Sequence, residues 1–142
     1  MKKYKIGYTQ GTFDMFHIGH LNLIRQAKEQ CDVLIVGVNS DRLVNEYKNK
    51  VPVINESNRA EIVNALKYVD KVIICDSLDK CIVWKIVKFD AIFIGDDWKG
   101  NLRWIQTEKE LSPLGAKVVY LKHTDGISST ILRPLEKNKV NG

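Results

Sequence analysis

Two histidines with two residues between them, His17 and His20, sit in the segment Gly11-Thr12-Phe13-Asp14-Met15-Phe16-His17-Ile18-Gly19-His20, directly after an apolar run. Imidazole N–H groups donate hydrogen bonds to phosphoryl oxygens, and a leaving pyrophosphate needs that electrostatic help more than covalent chemistry. Gly19 allows close backbone approach. His20 falls at a helix start, where open amide protons and the positive dipole end favour an anion. The plainer reading makes one histidine a helix cap and the other a surface residue; their paired spacing after a strand favours the phosphate site. Zinc ligation by the pair is not indicated, because the third histidine is the distant His123 and no cysteine lies close by in sequence.

A second anion cradle is written near the other end, in His123-Thr124-Asp125-Gly126-Ile127-Ser128-Ser129-Thr130-Ile131-Leu132-Arg133, where a glycine precedes three hydroxyl residues that open an apolar helix. Arg133 falls on the same helical face as Ser129, and Pro134 shortens that helix. Between the two cradles, Gly95-Asp96-Asp97-Trp98 offers carboxylates suited to ribose hydroxyls or a base amino group. Arg59 stands at a helix start, where a cation opposes the dipole. It therefore calls for an anion, either substrate phosphate or a neighbouring carboxylate.

Five short apolar runs position these residues: Tyr4 to Thr9, Asp32 to Val38, Lys71 to Cys75, Asp90 to Gly95 and Lys117 to Leu121. They alternate with amphipathic stretches. Leu21, Ile24, Ala27 and Cys31 share one helical face; Ile62, Ala65, Leu66 and Val69 share another; Ser77 to Lys88 carries Ile82, Trp84, Ile86 and Val87. Strands that are continuously apolar, each followed by a helix, imply a doubly wound α/β domain with a five-stranded parallel sheet covered on both faces. Ligands of such sheets bind outside the carboxyl ends of the strands, where the histidine loop, the Asp97 loop and the glycine–serine loop all fall. The polar stretch 39–58, with Lys48 and Lys50, reads as a long connection and a lid.

The composition agrees with a phosphate-handling enzyme. Of 142 residues, 44% are hydrophobic and 27% charged, which suits one domain over 1–135 followed by a frayed polar tail, 136–142. The net charge of +5 comes from 22 basic residues interleaved with 17 acidic ones, and phosphorylated small molecules account for it as well as nucleic acid does. No signal peptide or membrane span is read, and Cys31, Cys75 and Cys81 read as free thiols, so a cytoplasmic chain is expected.

The string GTFDxxHxGH resembles the signature of the HxGH nucleotidyltransferase superfamily, within it the glycerol-3-phosphate cytidylyltransferase group, over about residues 4 to 133. Class I aminoacyl-tRNA synthetases carry the same four residues, but 142 residues cannot hold one and no KMSKS-like segment is present. The resemblance implies a Rossmann-like fold. It implies catalytic roles for His17, His20, Lys48 and Lys50, and nucleotide contacts from Thr12, Phe13, Asp14, Gly19, Asp97, Thr124, Gly126, Ile127, Ser128, Ser129, Thr130 and Arg133. Arg59, Asp41 and His123 are expected at the acceptor substrate; the glycerol-phosphate enzymes usually have Arg where this chain has His123. Lys67-Tyr68-Val69-Asp70-Lys71-Val72 resembles the family's RYVDEV segment and implies a homodimer. The implied substrates are CTP, accompanied by Mg²⁺, and a small phosphomonoester, led by glycerol 3-phosphate. An adenylyltransferase acting on FMN or a sugar phosphate, and a nucleotide- or RNA-binding regulator, are the alternatives.

Overall fold

The computed structural model describes residues 2–122. Its five strands are β1 (Tyr4–Gly11), β2 (Cys31–Asn39), β3 (Lys71–Cys75), β4 (Ala91–Gly95) and β5 (Lys117–Leu121), and all neighbours run parallel in the order β3-β2-β1-β4-β5. Five helices connect them: α1 (Ile18–Glu29), α2 (Asp41–Lys48), α3 (Glu56–Asn64), α4 (Lys80–Val87) and α5 (Leu102–Leu111). The Rossmann-like α/β architecture expected from the sequence is the one observed.

Alternation along the central strands divides the interior into two cores. Leu34, Val36 and Val38 of β2 and Ala91 and Phe93 of β4 face Ile24 and Ala27 of α1 and Val63 of α3. Tyr8 and Ile92 point the other way, onto Val83 of α4 and Trp104 and Leu111 of α5. Each side chain fully buried in this manner contributes roughly 1.5–3 kcal/mol. Gly37 is required for the second core, since a Cβ there would lie 2.0 Å from the Tyr8 hydroxyl oxygen. Tyr8 itself is fully buried, stacked on Phe89 at 5.3 Å, and donates to Gln10 Oε1 at 2.8 Å.

The strand order reverses between β1 and β4, and their ladder is short, pairing Gly7 with Ala91 and Tyr8 with Ile92. Beyond it Thr9 still reaches Phe93 O through its hydroxyl at 2.9 Å, after which the two strands lead away into separate loops. That switch point is where a doubly wound sheet opens a crevice.

Three expectations change. The stretch 39–58 is not one long connection: Ser40 caps α2 by accepting from Leu43 N at 3.1 Å, Leu43 and Val44 are buried, and the helix ends at Asn49 with φ 54°. Cys31 is not on the α1 face but opens β2, fully buried, its thiol donating to Ala27 O. Helix α3 buries Arg59 and Val63, while Ile62 is exposed, and Leu66 and Val69 pack on the core from the turn that follows. Helix α5, capped by Asn101 accepting from Arg103 N, has no counterpart in the sequence reading.

Candidate functional site

A cavity of about 450 Å³ opens at the carboxyl end of the sheet. Thr12, Phe13, Asp14, His17, Gly19, His20, Lys48, Lys50 and Asp97 line it, so the residues singled out from three separate loops are brought together. The glycine–serine residues Thr124, Gly126, Ile127, Ser128, Ser129, Thr130 and Arg133, together with His123, lie outside the described residues.

The histidine loop is held by unusual backbone geometry. Phe13 and Met15 adopt left-handed φ of 54° and 50°, which costs a residue with a Cβ of order 1 kcal/mol and persists only where the surroundings impose it. Asp14 is one of those surroundings. It is 6% exposed, and its two oxygens accept from Val53 N at 2.8 Å and Ile54 N at 2.9 Å, which ties the segment after α2 to the histidine loop.

Both histidines cap α1, and the cap sets their chemistry. His17 is the N-cap residue: its Nδ1 accepts from Gly19 N at 3.0 Å, while its own backbone N donates to His20 Nδ1 at 3.2 Å. This is a capping box built from two imidazoles in place of the usual hydroxyl and carboxyl. A ring nitrogen that accepts cannot carry the proton, so in each neutral ring the hydrogen resides on Nε2. The rings stack at 3.9 Å and 24°, and Phe13 and Phe16 pack against His20 at 5.5 Å and 5.3 Å. Burial, then the facing His17, pushes the His20 pKa down to about 4, partly offset by Asp14. The pair is therefore a set of neutral, fixed N–H donors rather than a doubly charged clamp. The cap fixes the tautomer and leaves an Nε2–H donor on each neutral ring.

Arg59 and Asp41 do not line the cavity. Arg59 is 1% exposed, and its guanidinium donates to Ile54 O at 2.7 Å, Thr12 O at 2.7 Å, Asn39 O at 2.8 Å and Asp41 Oδ1 at 2.5 Å. Asp41 N and Glu56 N exchange further bonds with the opposite carboxylates. Of the two anions the sequence reading allowed for Arg59, the neighbouring carboxylate is the one observed. This knot ties the loop after β1 to the end of β2 and the start of α3.

Other lining residues were not foreseen. Gln10 and Asn39 join at 2.9 Å across the ends of β1 and β2, and Tyr47 takes hydrogen bonds at 3.1 Å with Thr12 and 3.2 Å from Asn39. Lys80, Arg103 and Trp104, beside Trp98 of the already noted Gly95–Trp98 segment, form the wall on the α4–α5 side. Lys80 follows β3, and the same rule that favoured the loops after β1 and β4 points to it. Lys48 Nζ lies 5.5 Å over the Tyr47 ring, and Lys50 is exposed.

For Mg²⁺, the donor set is the test. Among the described lining residues the carboxylates are Asp14 and Asp97, and both Asp14 oxygens already accept amide hydrogens. That fits a hard cation arriving on the oxygens of a triphosphate and not one held in a protein cage. Among the described residues no helix is long and apolar enough to cross a membrane.

Comparison with known proteins agrees with this geometry. The chain is 36% identical over 126 residues to an FAD synthase of Thermococcus sibiricus, covering 86% of this chain and 84% of that protein. It is 33% identical over 132 residues to a glycerol-3-phosphate cytidylyltransferase of Staphylococcus aureus, covering 88% and 89%. The bifunctional protein HldE of Caulobacter vibrioides is 35% identical over 90% of this chain, which spans about a quarter (26%) of that protein. Among solved structures, a lipopolysaccharide core biosynthesis protein from Thermoplasma volcanium superposes with a TM-score of 0.75 at 26% identity, covering 86% of this chain and 99% of that one. The model of the family described as cytidylyltransferase-like matches residues 8–134, across the histidine loop, both cores and the glycine–serine motif, and the chain belongs to that nucleotidyltransferase family.

Proposed function

We propose that the protein transfers CMP from CTP to a small phosphomonoester, with glycerol 3-phosphate as the leading acceptor, giving a CDP-alcohol and pyrophosphate. The observation that carries this reading is the stacked, neutral His17–His20 pair at the head of α1, on the wall of a cavity at the strand switch point. An acceptor phosphate oxygen attacks the α-phosphorus of the nucleotide. The bond from that phosphorus to the bridging oxygen breaks, and its electron pair goes to the pyrophosphate. The Nε2–H groups of His17 and His20 donate to oxygens whose charge grows in that step, and Lys48 and Lys50 neutralise the triphosphate from the segment after α2. Mg²⁺ supplies further charge neutralisation when it accompanies the nucleotide.

Thr12, Phe13, Gly19, Asp97, Thr124, Gly126, Ile127, Ser128, Ser129, Thr130 and Arg133 take nucleotide contacts in this reading, and His123 binds the acceptor. Asp14, Arg59 and Asp41 act as positioning residues that hold the walls of the site. The cytidylyltransferase relative supports CTP. The FAD synthase relative supports a second reading, adenylyl transfer from ATP to FMN on the same two loops. A homodimer through 67–72 belongs to the first reading, and sedimentation of the purified chain at two concentrations tests it.

The experiment is pyrophosphate release with Mg²⁺ from CTP and from ATP, across glycerol 3-phosphate, other polyol phosphates, an amino-alcohol phosphate and FMN. Acceptor-dependent release with CTP is expected. Release with ATP and FMN alone replaces the substrate assignment and keeps the chemistry; nucleotide binding without release in any combination favours a regulator.

A further inference from the structure

Across the carboxyl ends of the first two strands runs a single chain of side-chain hydrogen bonds. Gln10 of β1, Asn39 of β2, Tyr47 in the last turn of α2 and Thr12 just beyond β1 all line the cavity, and each is bonded to the next. The inner end of the chain has a fixed sense. Ser77 O is a backbone carbonyl and can only accept, so Gln10 turns its NH₂ toward it, at 2.9 Å. Gln10 Oε1 then faces Tyr8, whose hydroxyl donates at 2.8 Å. Burial, then Cys75, pushes the Tyr8 pKa well above its usual value, so that hydroxyl keeps its proton.

This one orientation propagates outward. The second hydrogen on Gln10 Nε2 goes to Asn39 Oδ1 at 2.9 Å, which turns Asn39 Nδ2 to the Tyr47 hydroxyl oxygen at 3.2 Å. Asn39 is buried, and flipping its amide would set NH₂ against NH₂ with no water to repair the loss. With its oxygen accepting from Asn39, Tyr47 directs its own hydrogen to Thr12 Oγ1, 3.1 Å away. The Thr12 oxygen accepts it, and the Thr12 hydrogen is turned to the cavity.

We infer that Tyr47 is a positioning residue that, at the end of this chain, presents Thr12 as a fixed hydrogen-bond donor to a phosphate oxygen of the nucleotide. This rests on the nucleotide contact given to Thr12 in the transferase reading and adds what sets its polarity. A phosphate oxygen only accepts. A freely turning hydroxyl points its hydrogen at such a group in one of three staggered wells, so fixing it is worth about threefold in binding, and polarisation along the chain adds to that. Tyr47 also ties Thr12 to the lysine segment, since Lys48 Nζ lies over its ring.

The test is a double-mutant cycle on the full chain. Tyr47→Phe keeps the ring beneath Lys48, and Thr12→Val removes the hydroxyl but leaves the backbone carbonyl that Arg59 holds. Binding of CTP, and of ATP as the rival nucleotide, is measured with Mg²⁺ by isothermal titration calorimetry. Thr12→Val is expected to weaken the nucleotide that binds by about ten- to a hundredfold, as for a lost bond to a charged group. Tyr47→Phe is expected to weaken it by about three- to tenfold in the unmodified chain, but by less than about twofold on Thr12→Val. In Thr12→Ser, which keeps the hydroxyl, the response to Tyr47→Phe is expected to return. The same factor in both backgrounds makes Tyr47 a support with no route through Thr12 and overturns the inference, as does an unchanged affinity in Tyr47→Phe. If a nucleotide binds but no acceptor gives pyrophosphate, the transferase reading fails while the cycle still decides the role of Tyr47. No saturable binding of either nucleotide overturns it.

Discussion

The loop carrying the histidines and the segment carrying the lysines line the same cavity but are built in opposite ways. The first is closed on every side: two left-handed residues, an imidazole capping box, aromatic packing on His20 and Arg59 bonded to Thr12 O. The second is open. Val51 and Val53 are 71% and 67% exposed, and the stretch is anchored by Asp14 on the amides of Val53 and Ile54 and by the burial of Pro52. Groups that stabilise a transition state gain most when they need no reorganisation, whereas groups that cover a substrate must let it in and out. Under the proposed function, the contrast gives preorganisation to the histidines and coverage to the lysines.

The largest effect expected is from Arg59→Ala. It leaves the Asp41 carboxylate and three carbonyls facing a buried hole, and chemical denaturation should show a loss of about 3–5 kcal/mol. A loss below about 1 kcal/mol would mean that the closed loop does not depend on the knot beneath it. Next, His17→Ala and His20→Ala should each lower kcat on the order of a hundred- to a thousandfold, with a much smaller change in CTP affinity. Equal effects on both quantities would make the histidines ground-state binders and dissolve the contrast. Asp14→Ala removes the tether between the two regions. Hydrogen exchange at the Val53 and Ile54 amides should accelerate and the CTP KM should rise by roughly tenfold. Lys48→Ala and Lys50→Ala are expected to cost less again, several-fold each in kcat/KM, as befits exposed groups.

The smallest effect concerns acid. His20 ordinarily titrates at 6.5 but is held near 4 in the folded chain, chiefly by burial and then by His17. A base whose folded pKa is lowered contributes stability that is complete above 6.5 and lost as the pH falls from there through 4. The His20 imidazole should accordingly stay neutral in NMR titrations down to about pH 5. Protonation near 6.5 would show that the ring is less enclosed than its neighbours indicate.

The chemistry of this site was more legible in the sequence than its support. Strand runs were continuous and bounded, so all five strands appeared within a few residues of their places. The histidine loop announced itself because its residue types are uncommon at that spacing. Helix α2 was hidden because its apolar face amounts to Leu43 and Val44 amid polar residues, although Ser40 and Asn49 mark its two ends. Helix α5 was hidden similarly, with buried Trp104 and Leu111 far apart in a polar stretch. Arg59 showed its need for an anion but not which one, because its partner Asp41 is distant in sequence and adjacent only after folding. Lys80 looked like one more helical lysine; its position over Trp104 and its interaction with Arg103 arise only when another helix packs beside it.

The sheet that separates the two cores also separates two kinds of change the chain can tolerate. Substitutions on the α4–α5 side can reshape that side of the cavity while leaving untouched the packing that fixes the histidines, because the buried side chains of the two cores form separate clusters. A fold divided in this way absorbs natural drift, or a designed graft over 76–107, on one face of the sheet without disturbing the imidazole capping box on the other.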